Sequence, residues 1–539
     1  MIEKFRNFRN WVIYQIYPRS FLDTNGDGIG DLNGVTAKLD YLKDLGVDAI
    51  WLCPCYKSPN VDNGYDIADY RQIMDEFGTI EDAKRLIAEI KKRDMKLIMD
   101  LVPNHTSDQH RWFIESRKSK DNPYSDFYYW FDEPINDWRA TFGGSAWQYD
   151  EMRGQYYLHS YAVQQPDLNW DNPKVVKEMQ DVVDFWIDLG VDGFRCDVID
   201  QISKDFEGGN NCFGPNLHKY IHALFGREKA AHLFTVGECW AGDIEEICRH
   251  TKAERGELST LFQFDHLNET GRYEGNNRNC KWNEKPGELR TARDILTKWQ
   301  LLNQEHDILH TLFTDNHDNN YFLSRAANDT DLRYESATCI ATMIYLMNGV
   351  PLIYQGQEIG CCGSHYDSLD DFDDIESINL YHELIDAGNS HAEAMKILNF
   401  GGRDNARRPM PWTAGENGGF TTGKPWITMA SRYKEINLET DLASEKSVFR
   451  FYKELFALRK VEEVLRQGTF TPLHNAEDNF AAYLRELGDQ RICVVCNFDE
   501  TNKIEIPEAH GEILLSNYGR AQGDERAFRP YEIAVYRMQ

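Results

Sequence analysis

Cysteine is scarce. The twelve in 539 residues, at 53, 55, 196, 212, 239, 248, 280, 339, 361, 362, 493 and 496, follow no framework spacing. That excludes a disulfide-stapled scaffold and fits core thiols in a reducing compartment. Cys493 and Cys496 stand close together, but in the alternating run ICVVCNF, a strand pattern and not a zinc knuckle. Long apolar runs are missing too. No window approaches the roughly 18 uninterrupted apolar residues of a membrane span, and the opening MIEKFRNFRNW carries charge without an apolar h-region. The chain is therefore expected to be cytoplasmic. Positive charge is short as well: 59 Lys and Arg face 88 Asp and Glu, a formal net charge of −29. A field of that sign repels phosphate backbones and anionic lipid, so no nucleic-acid and no membrane partner is expected. A neutral ligand or a metal cation remains compatible. No internal repeat or low-complexity linker appears, and the expected state is a monomer or weak homo-oligomer.

Apolar residues at 41% and aromatics at 13% supply a sizeable core, and the length suits about three domains or one large barrel with appendages. Eight β-rich runs alternate with amphipathic stretches: 11–18, 49–54, 96–102, 193–199, 233–239, 261–267, 309–318 and 350–358. Between them lie helical patterns such as Ile80, Ala83, Ile87 and Ile90, and a segment opened by Asn172-Pro173, a cap followed by a first-turn proline. The fold class predicted is α/β, a (β/α)₈ barrel. Some 90 residues separate the third and fourth runs, so a small domain is expected at 104–172, inserted into a barrel of 1–103 and 173–472. From 473 to 539 short alternating strands with turn residues predict an antiparallel β-sandwich domain.

Barrel enzymes draw their reacting groups from the C-terminal ends of the strands. Asp100, Asp197, Glu238 and Asp318 all stand there. Two carboxyls facing one another across a cleft, one ionised and one protonated, are what glycosidic cleavage requires. Arg195 beside them would keep a nucleophile ionised, and His105 and His317 would hold sugar hydroxyls.

The segments DLVPNH (100–105), GFRCDVID (193–200), TVGEC (235–239) and TDNHD (314–318) resemble, in family order, the four signature regions of the α-amylase family of retaining glycoside hydrolases, glycoside hydrolase family 13. QPDLNW (165–170) resembles the fifth signature, on the oligo-1,6-glucosidase side of that family. The resemblance spans nearly the whole chain. It implies Asp197 as nucleophile, Glu238 as general acid/base, Asp318 as the third carboxylate, and His105, Arg195 and His317 around the glucose that is cleaved off. Tyr65 and Asp66 in NGYDIADY and Arg403 in GRDNARRPMPW are implied to close an exo-acting pocket, with Asp66 paired to Arg403. Val198 after the nucleophile accompanies α-1,6 preference in such enzymes, and Trp240 would offer sugars an apolar face. The function implied is a retaining exo-α-glucosidase that takes non-reducing-end α-1,6-linked glucose from isomalto-oligosaccharides through a covalent glucosyl-enzyme. Trehalose-6-phosphate hydrolysis, sucrose isomerisation or glucosyl transfer, and α-1,4 preference are the alternatives. A non-catalytic transporter-associated relative would need a membrane helix and a degraded triad, and neither is seen.

Near the start, DTNGDGIGD offers oxygens at Asp23, Asn25, Asp27 and Asp31 and the carbonyl of Ile29. This is the spacing of the first half of an EF-hand loop, with Gly34 at the position of the closing Glu. The resemblance implies a structural Ca²⁺ there, with Mg²⁺ the alternative and no organic cofactor. The chain departs from relatives at Asn320-Tyr321 after NHDN and at Arg407-Arg408-Pro409-Met410-Pro411-Trp412. Both departures bear on the side of the pocket that takes the leaving group.

Overall fold

The computed structural model describes residues 8–268, 282, 288–500, 504–506, 509–521 and 527–538. The eight β-rich runs form β1 (Ile13–Ile16), β2 (Ala49–Leu52), β3 (Lys96–Leu101), β4 (Gly193–Cys196), β5 (Phe234–Gly237), β6 (Thr260–Leu261), β7 (Thr311–Leu312) and β8 (Val350–Tyr354). They pair in parallel in sequence order, and β8 returns to β1. A parallel bridge from Leu261 to His310 joins the sixth strand to the seventh and closes the ring. Most strand residues are fully buried, inside against barrel side chains and outside against helices. All eight strands are shorter than their runs, and β6 and β7 are cut to two residues each. Past Leu261 the chain leaves the sheet as Phe262 and Phe264 turn onto Phe313, and Asp265 opens a short helix with its N–H on the Gln263 side chain. Past Leu312 the backbone becomes the loop that carries His317 and Asp318.

Helix α1 (Ile80–Lys92) opens on a capping box between Thr79 and Asp82 and buries Ala83, Leu86, Ile87 and Ile90, with Ile80 only half-buried at its mouth. Helix α2 (Pro173–Leu189) has Asn172 as its cap, proline in its first turn, and Gly190 in the left-handed conformation (φ 104°) at its end. Helices α3 (Leu217–Phe225) and α4 (Ile244–Thr251) flank β4 and β5, and α5 (Arg333–Tyr345) leads to β8. After β8, α6 (Ile375–Asp386) and α7 (His391–Gly401) pack on one another and deliver Arg403 to the barrel mouth, and α8 (Val448–Val461) returns to the barrel flank. No described helix is long and apolar enough to cross a membrane.

Between β3 and β4 lies a three-stranded antiparallel sheet, Trp130–Phe131, Gln155–Leu158 and Trp147–Asp150, packed around Tyr129, Trp147 and Leu158. At the C-terminal end β9 (Thr469–Pro472), β10 (Phe480–Leu487), β11 (Gln490–Asn497), β12 (Glu512–Ser516) and β13 (Ile533–Arg537) make an antiparallel sheet in the order β9-β10-β11-β13-β12. Its first strand lies ahead of residue 473, because Thr469–Pro472 pairs with residues 483–486 of β10. Tyr483, Val494 and Val535 join the barrel's own core. Two buried arginines pin the junction. Arg459 on α8 donates to the carbonyls of Tyr345, Met347 and Gly349, and Arg485 on β10 to those of Leu346, Leu465 and Gly468. They satisfy the orphan carbonyls where α5 ends and the chain turns into β8, and Arg485 those of Leu465 and Gly468 just ahead of β9 as well. All eleven described cysteines are free, and Cys493 and Cys496 lie within β11 as ordinary core residues.

Candidate active site

The end of β4 sets the site. Asp197 follows Cys196 with its N–H on the carbonyl of Leu101 (2.8 Å), and Val198 then takes a left-handed backbone (φ 34°, ψ 50°). That conformation is costly for a β-branched residue, and such strain persists only where the surroundings enforce it. Here the enforcement is a cross-tie to the next strand. The Val198 N–H donates to Glu238 Oε2 (3.3 Å), the Ile199 N–H to the Glu238 carbonyl (3.0 Å), and the Glu238 N–H to the Cys196 carbonyl (2.8 Å). The turn therefore brings the side chains of Asp197 and Glu238 together.

Between them stands Arg195, fully enclosed. Its Nη1 reaches Asp197 Oδ1 (2.7 Å) and Asp100 Oδ1 (3.0 Å), and its Nη2 holds Glu238 Oε2. Burial pushes the Asp197 carboxyl well up, and the charges of Glu238 and Asp100 push it further, while Arg195 pulls it down. Asp100 rises to about 6 for the same leading reason, burial. Burial and mutual repulsion thus oppose ionisation of Asp197 and Asp100 together, and the shared Arg195 offsets them. The Asp197 and Glu238 side chains also hydrogen-bond one another, too close to admit the attacking water of an inverting pair, which needs about 6.5–9.5 Å between them.

His317 sits opposite. The Gln15 amide donates to its Nδ1 (2.8 Å), leaving the ring proton on Nε2, which faces the Tyr65 hydroxyl (2.6 Å) and Asp318 Oδ2 (3.3 Å). The Tyr65 hydroxyl passes its own proton to Asp100 (3.1 Å), so one chain links the third carboxylate to the Arg195 cluster. Burial lowers His317 to about 3 and His105 to about 4, and both are neutral hydrogen-bonding groups near neutral pH. Asp318 is held by Arg407 Nη2 (3.0 Å) and Arg403 Nη1 (3.4 Å).

These groups line a cavity of about 500 Å³. Asp197, Glu238, Asp318, Tyr65, His105, Val198, Trp240, His317 and Arg403 are all on its wall, and Arg195 lies behind the carboxylates it binds. Trp240 is half exposed and stacks on Phe264 (centroids 4.5 Å apart), presenting an aromatic face at the mouth. The expectation for Asp66 does not hold. Its carboxylate is turned into its own loop, accepting from Ser58 Oγ (3.0 Å), Val61 N–H (2.9 Å) and Asp62 N–H (3.0 Å). Arg403 pairs instead with Asp62 (3.2 Å), with Asp374, and with Glu376 (3.4 Å), and Phe142 of the inserted segment covers it at 5.0 Å. Gln165 of QPDLNW donates to Asp62 (3.0 Å) and touches His105 Nε2 (3.2 Å). Asp62 is the pocket residue that sequence reasoning passed over, and Gln165 and Arg407 stood in quoted motifs without a role.

Neither departure reaches the cavity wall. Asn320 donates to the carbonyls of Asn399 and Phe400, and the Tyr321 hydroxyl to that of Gln355. Arg408 stacks over Tyr366 at 4.0 Å and donates to the Thr428 carbonyl.

In the Asp23–Asp31 loop, Asp23 accepts the N–H groups of Asn25, Gly26 and Gly28, each at 2.8 Å. Gly28, sixth in the run, takes the positive φ (93°) of the sharp EF-hand turn. Asp31 is spent on Thr24 and on capping the Gly34 N–H, while Asp27, accepting from the Ile29 N–H, stays exposed. The donor set is all oxygen and suits a hard cation. Its carboxylates are not drawn into one cage, for the only described His, Cys, Asp or Glu trio with donor atoms within 4.8 Å of one another is His218, His250 and Glu257.

A closed ring of eight parallel strands, with an arginine-held carboxyl pair on β4 and β5 and a third carboxylate after β7, defines a glycoside hydrolase of the α-amylase type. Residues 15–468 match the alpha-amylase catalytic domain, and the chain belongs to that family. It is 46% identical to an oligo-1,6-glucosidase of Bacillus cereus over 98% of each chain, and 44% identical to a glucan 1,6-alpha-glucosidase of Streptococcus pneumoniae over 95% of each. Among solved structures it resembles the trehalose-6-phosphate hydrolase of Bacillus licheniformis, with TM-score 0.90 and 38% identity, covering 98% of this chain and 99% of that one.

Proposed function

We propose that the protein is a retaining exo-α-glucosidase that removes α-1,6-linked glucose from the non-reducing end of short isomalto-oligosaccharides. Asp197 attacks the anomeric carbon and forms the glucosyl ester as Glu238 gives its proton to the departing oxygen. Glu238 then takes a proton from water, which attacks the same carbon and frees Asp197. Asp318 and His317 hold sugar hydroxyls, and Arg403 with Asp62 closes the pocket behind the terminal glucose. The carrying observation is the Asp197–Arg195–Glu238 arrangement (Asp197 at 2.7 Å) in a wall whose single described cation, Arg403, is already paired with acids. A phosphorylated sugar needs a free basic cradle, so a neutral substrate is favoured over trehalose 6-phosphate. The α-1,6 linkage rests on Val198 and on the named activities of the two curated relatives. The test is Asp197→Asn assayed on isomaltose, maltose, sucrose, trehalose 6-phosphate and p-nitrophenyl α-glucoside. Loss of all turnover, with isomaltose the best wild-type substrate, is expected; undiminished hydrolysis by the variant would overturn the mechanism.

The reading includes a cytoplasmic setting, supported by eleven free cysteines. It also includes a structural Ca²⁺ on Asp23, Asn25, Asp27, the Ile29 carbonyl and Asp31, supported by the EF-hand-like turn at Gly28. A chelator should lower the melting temperature, calcium should restore it, and kcat should stay unchanged; a melt indifferent to both would remove the cation.

A further inference from the structure

We propose that His218, His250 and Glu257 form a zinc site on the barrel flank, separate from the sugar pocket and from the Asp23 loop. The three come from different segments: His218 from α3, His250 from α4, and Glu257 from the loop just ahead of β6. The imidazoles lie 4.7 Å apart. Behind them, one oxygen of Glu246 accepts from His218 Nε2 (3.0 Å) and is within 3.4 Å of His250 Nε2. A carboxylate that faces both Nε2 atoms places a hydrogen on each; His250 is left with its lone pair on Nδ1, while His218 Nδ1 shares with Glu257 Oε2 a proton that a metal would displace. That is how a metal-ligating histidine is oriented.

Both Nδ1 atoms face Glu257 Oε2, at 2.7 Å from His218 and 4.0 Å from His250, and the three donor atoms lie within 4.8 Å of one another. Ligands about 2.0–2.1 Å from a tetrahedral ion stand roughly 3.3 Å apart, which these separations bracket. Glu257's other oxygen is fixed by Arg255 (2.7 Å), so the ligating oxygen is aimed. The second observation is independent. His250 is fully buried, and its Nδ1 has no hydrogen-bond partner. A buried polar atom left unsatisfied is costly and calls for a partner such as an ion. Two imidazoles with one carboxylate select zinc over the hard cations that an all-oxygen loop takes. The His218 side chain, 23% exposed, leaves an entry path and room for water as fourth ligand. The site lies directly behind the acid/base loop, with Cys239 Sγ 3.9 Å from His250 Nε2.

The experiment strips the full-length protein with chelator, adds ZnCl₂ alone, and measures bound metal by elemental analysis and affinity by calorimetry. One zinc per chain is expected, and cobalt in its place should give the visible bands of a tetrahedral ion. His218→Gln and Glu257→Gln should each lose that zinc while keeping the wild-type circular dichroism, Glu246→Gln should weaken binding about 10–100-fold, and Asp27→Asn should bind as wild type. Uptake well below one zinc per chain would overturn the site and leave His218 an imidazolium bridging two glutamates. Wild-type uptake by both His218→Gln and Glu257→Gln would overturn it too, assigning the zinc to cysteines instead.

Discussion

Asp62 and Asp66 stand four residues apart in one loop, and the structure gives them opposite work. Asp62 is buried on the cavity wall and accepts from Arg403 (3.2 Å) and Gln165 (3.0 Å). Truncating one partner of a buried, hydrogen-bonded charge pair in a binding site weakens binding by about 2–5 kcal/mol. Arg403 keeps Asp374, Glu376 and Asp318, which keeps the loss below the top of that range. About 3 kcal/mol is roughly a hundredfold at 1.4 kcal/mol per decade. Asp62→Ala is therefore expected to lower kcat/KM for isomaltose about a hundredfold and to relax the exo restriction, so that longer isomalto-oligosaccharides lose less than the disaccharide. Asp66→Ala removes three bonds within the loop, at about 1 kcal/mol each, and should appear as a lower urea midpoint with a much smaller change in kcat/KM. Steady-state kinetics on isomaltose and isomaltotriose beside urea melts of both variants separate the two roles. Asp62→Ala within tenfold of wild type, or Asp66→Ala losing as much catalysis as Asp62→Ala at equal stability, would refute the assignment.

Val198→Thr should raise the ratio of maltose to isomaltose turnover, read from kcat/KM on both sugars, because Val198 is on the wall beside Asp197; an unchanged ratio would detach linkage preference from this position. His310 is fully buried, neither ring nitrogen has a partner, and burial lowers it to about 4. A histidine with a depressed folded pKa stabilises fully above its unfolded value, about 6.5, and loses that contribution as pH falls toward the folded one. Wild type should therefore lose up to about 3 kcal/mol relative to His310→Asn between pH 7 and 4.5. Urea melts at the two pH values measure this, and parallel pH profiles would contradict it.

The barrel was legible because eight buried strands print as near-continuous apolar runs, and the acids because each follows such a run directly. Asp197 after GFRC and Glu238 after TVG need only strand direction to reach the mouth. Which aspartate of VDNGYD turns inward was not legible. Positive φ at Asn63 (48°) and Gly64 (100°) reverses the chain between Asp62 and the next aspartate, and alternation in a loop carries no facing information. Arg407 was hidden because an Arg-Arg pair does not say which side chain meets Asp318 and which stacks on Tyr366. Asn320 and Tyr321 looked like rim residues from their place beside the third carboxylate, yet the turn after Asp318 sends both into the protein body.

The two arginines at the foot of α5 bear on how this chain can be cut or recombined. Arg485 belongs to the C-terminal sheet, yet its guanidinium closes carbonyls that belong to the barrel. A chain truncated near residue 468, or a barrel grafted without its own sheet, would leave the Leu346 carbonyl bare, while that of Leu465 keeps Arg459. Leu346 lies just ahead of the eighth strand, whose Leu352, Ile353 and Tyr354 pair with the first and so help close the ring. The sheet is thus a keystone and not a passenger, and shortened or chimeric versions of the enzyme should retain it together with α8.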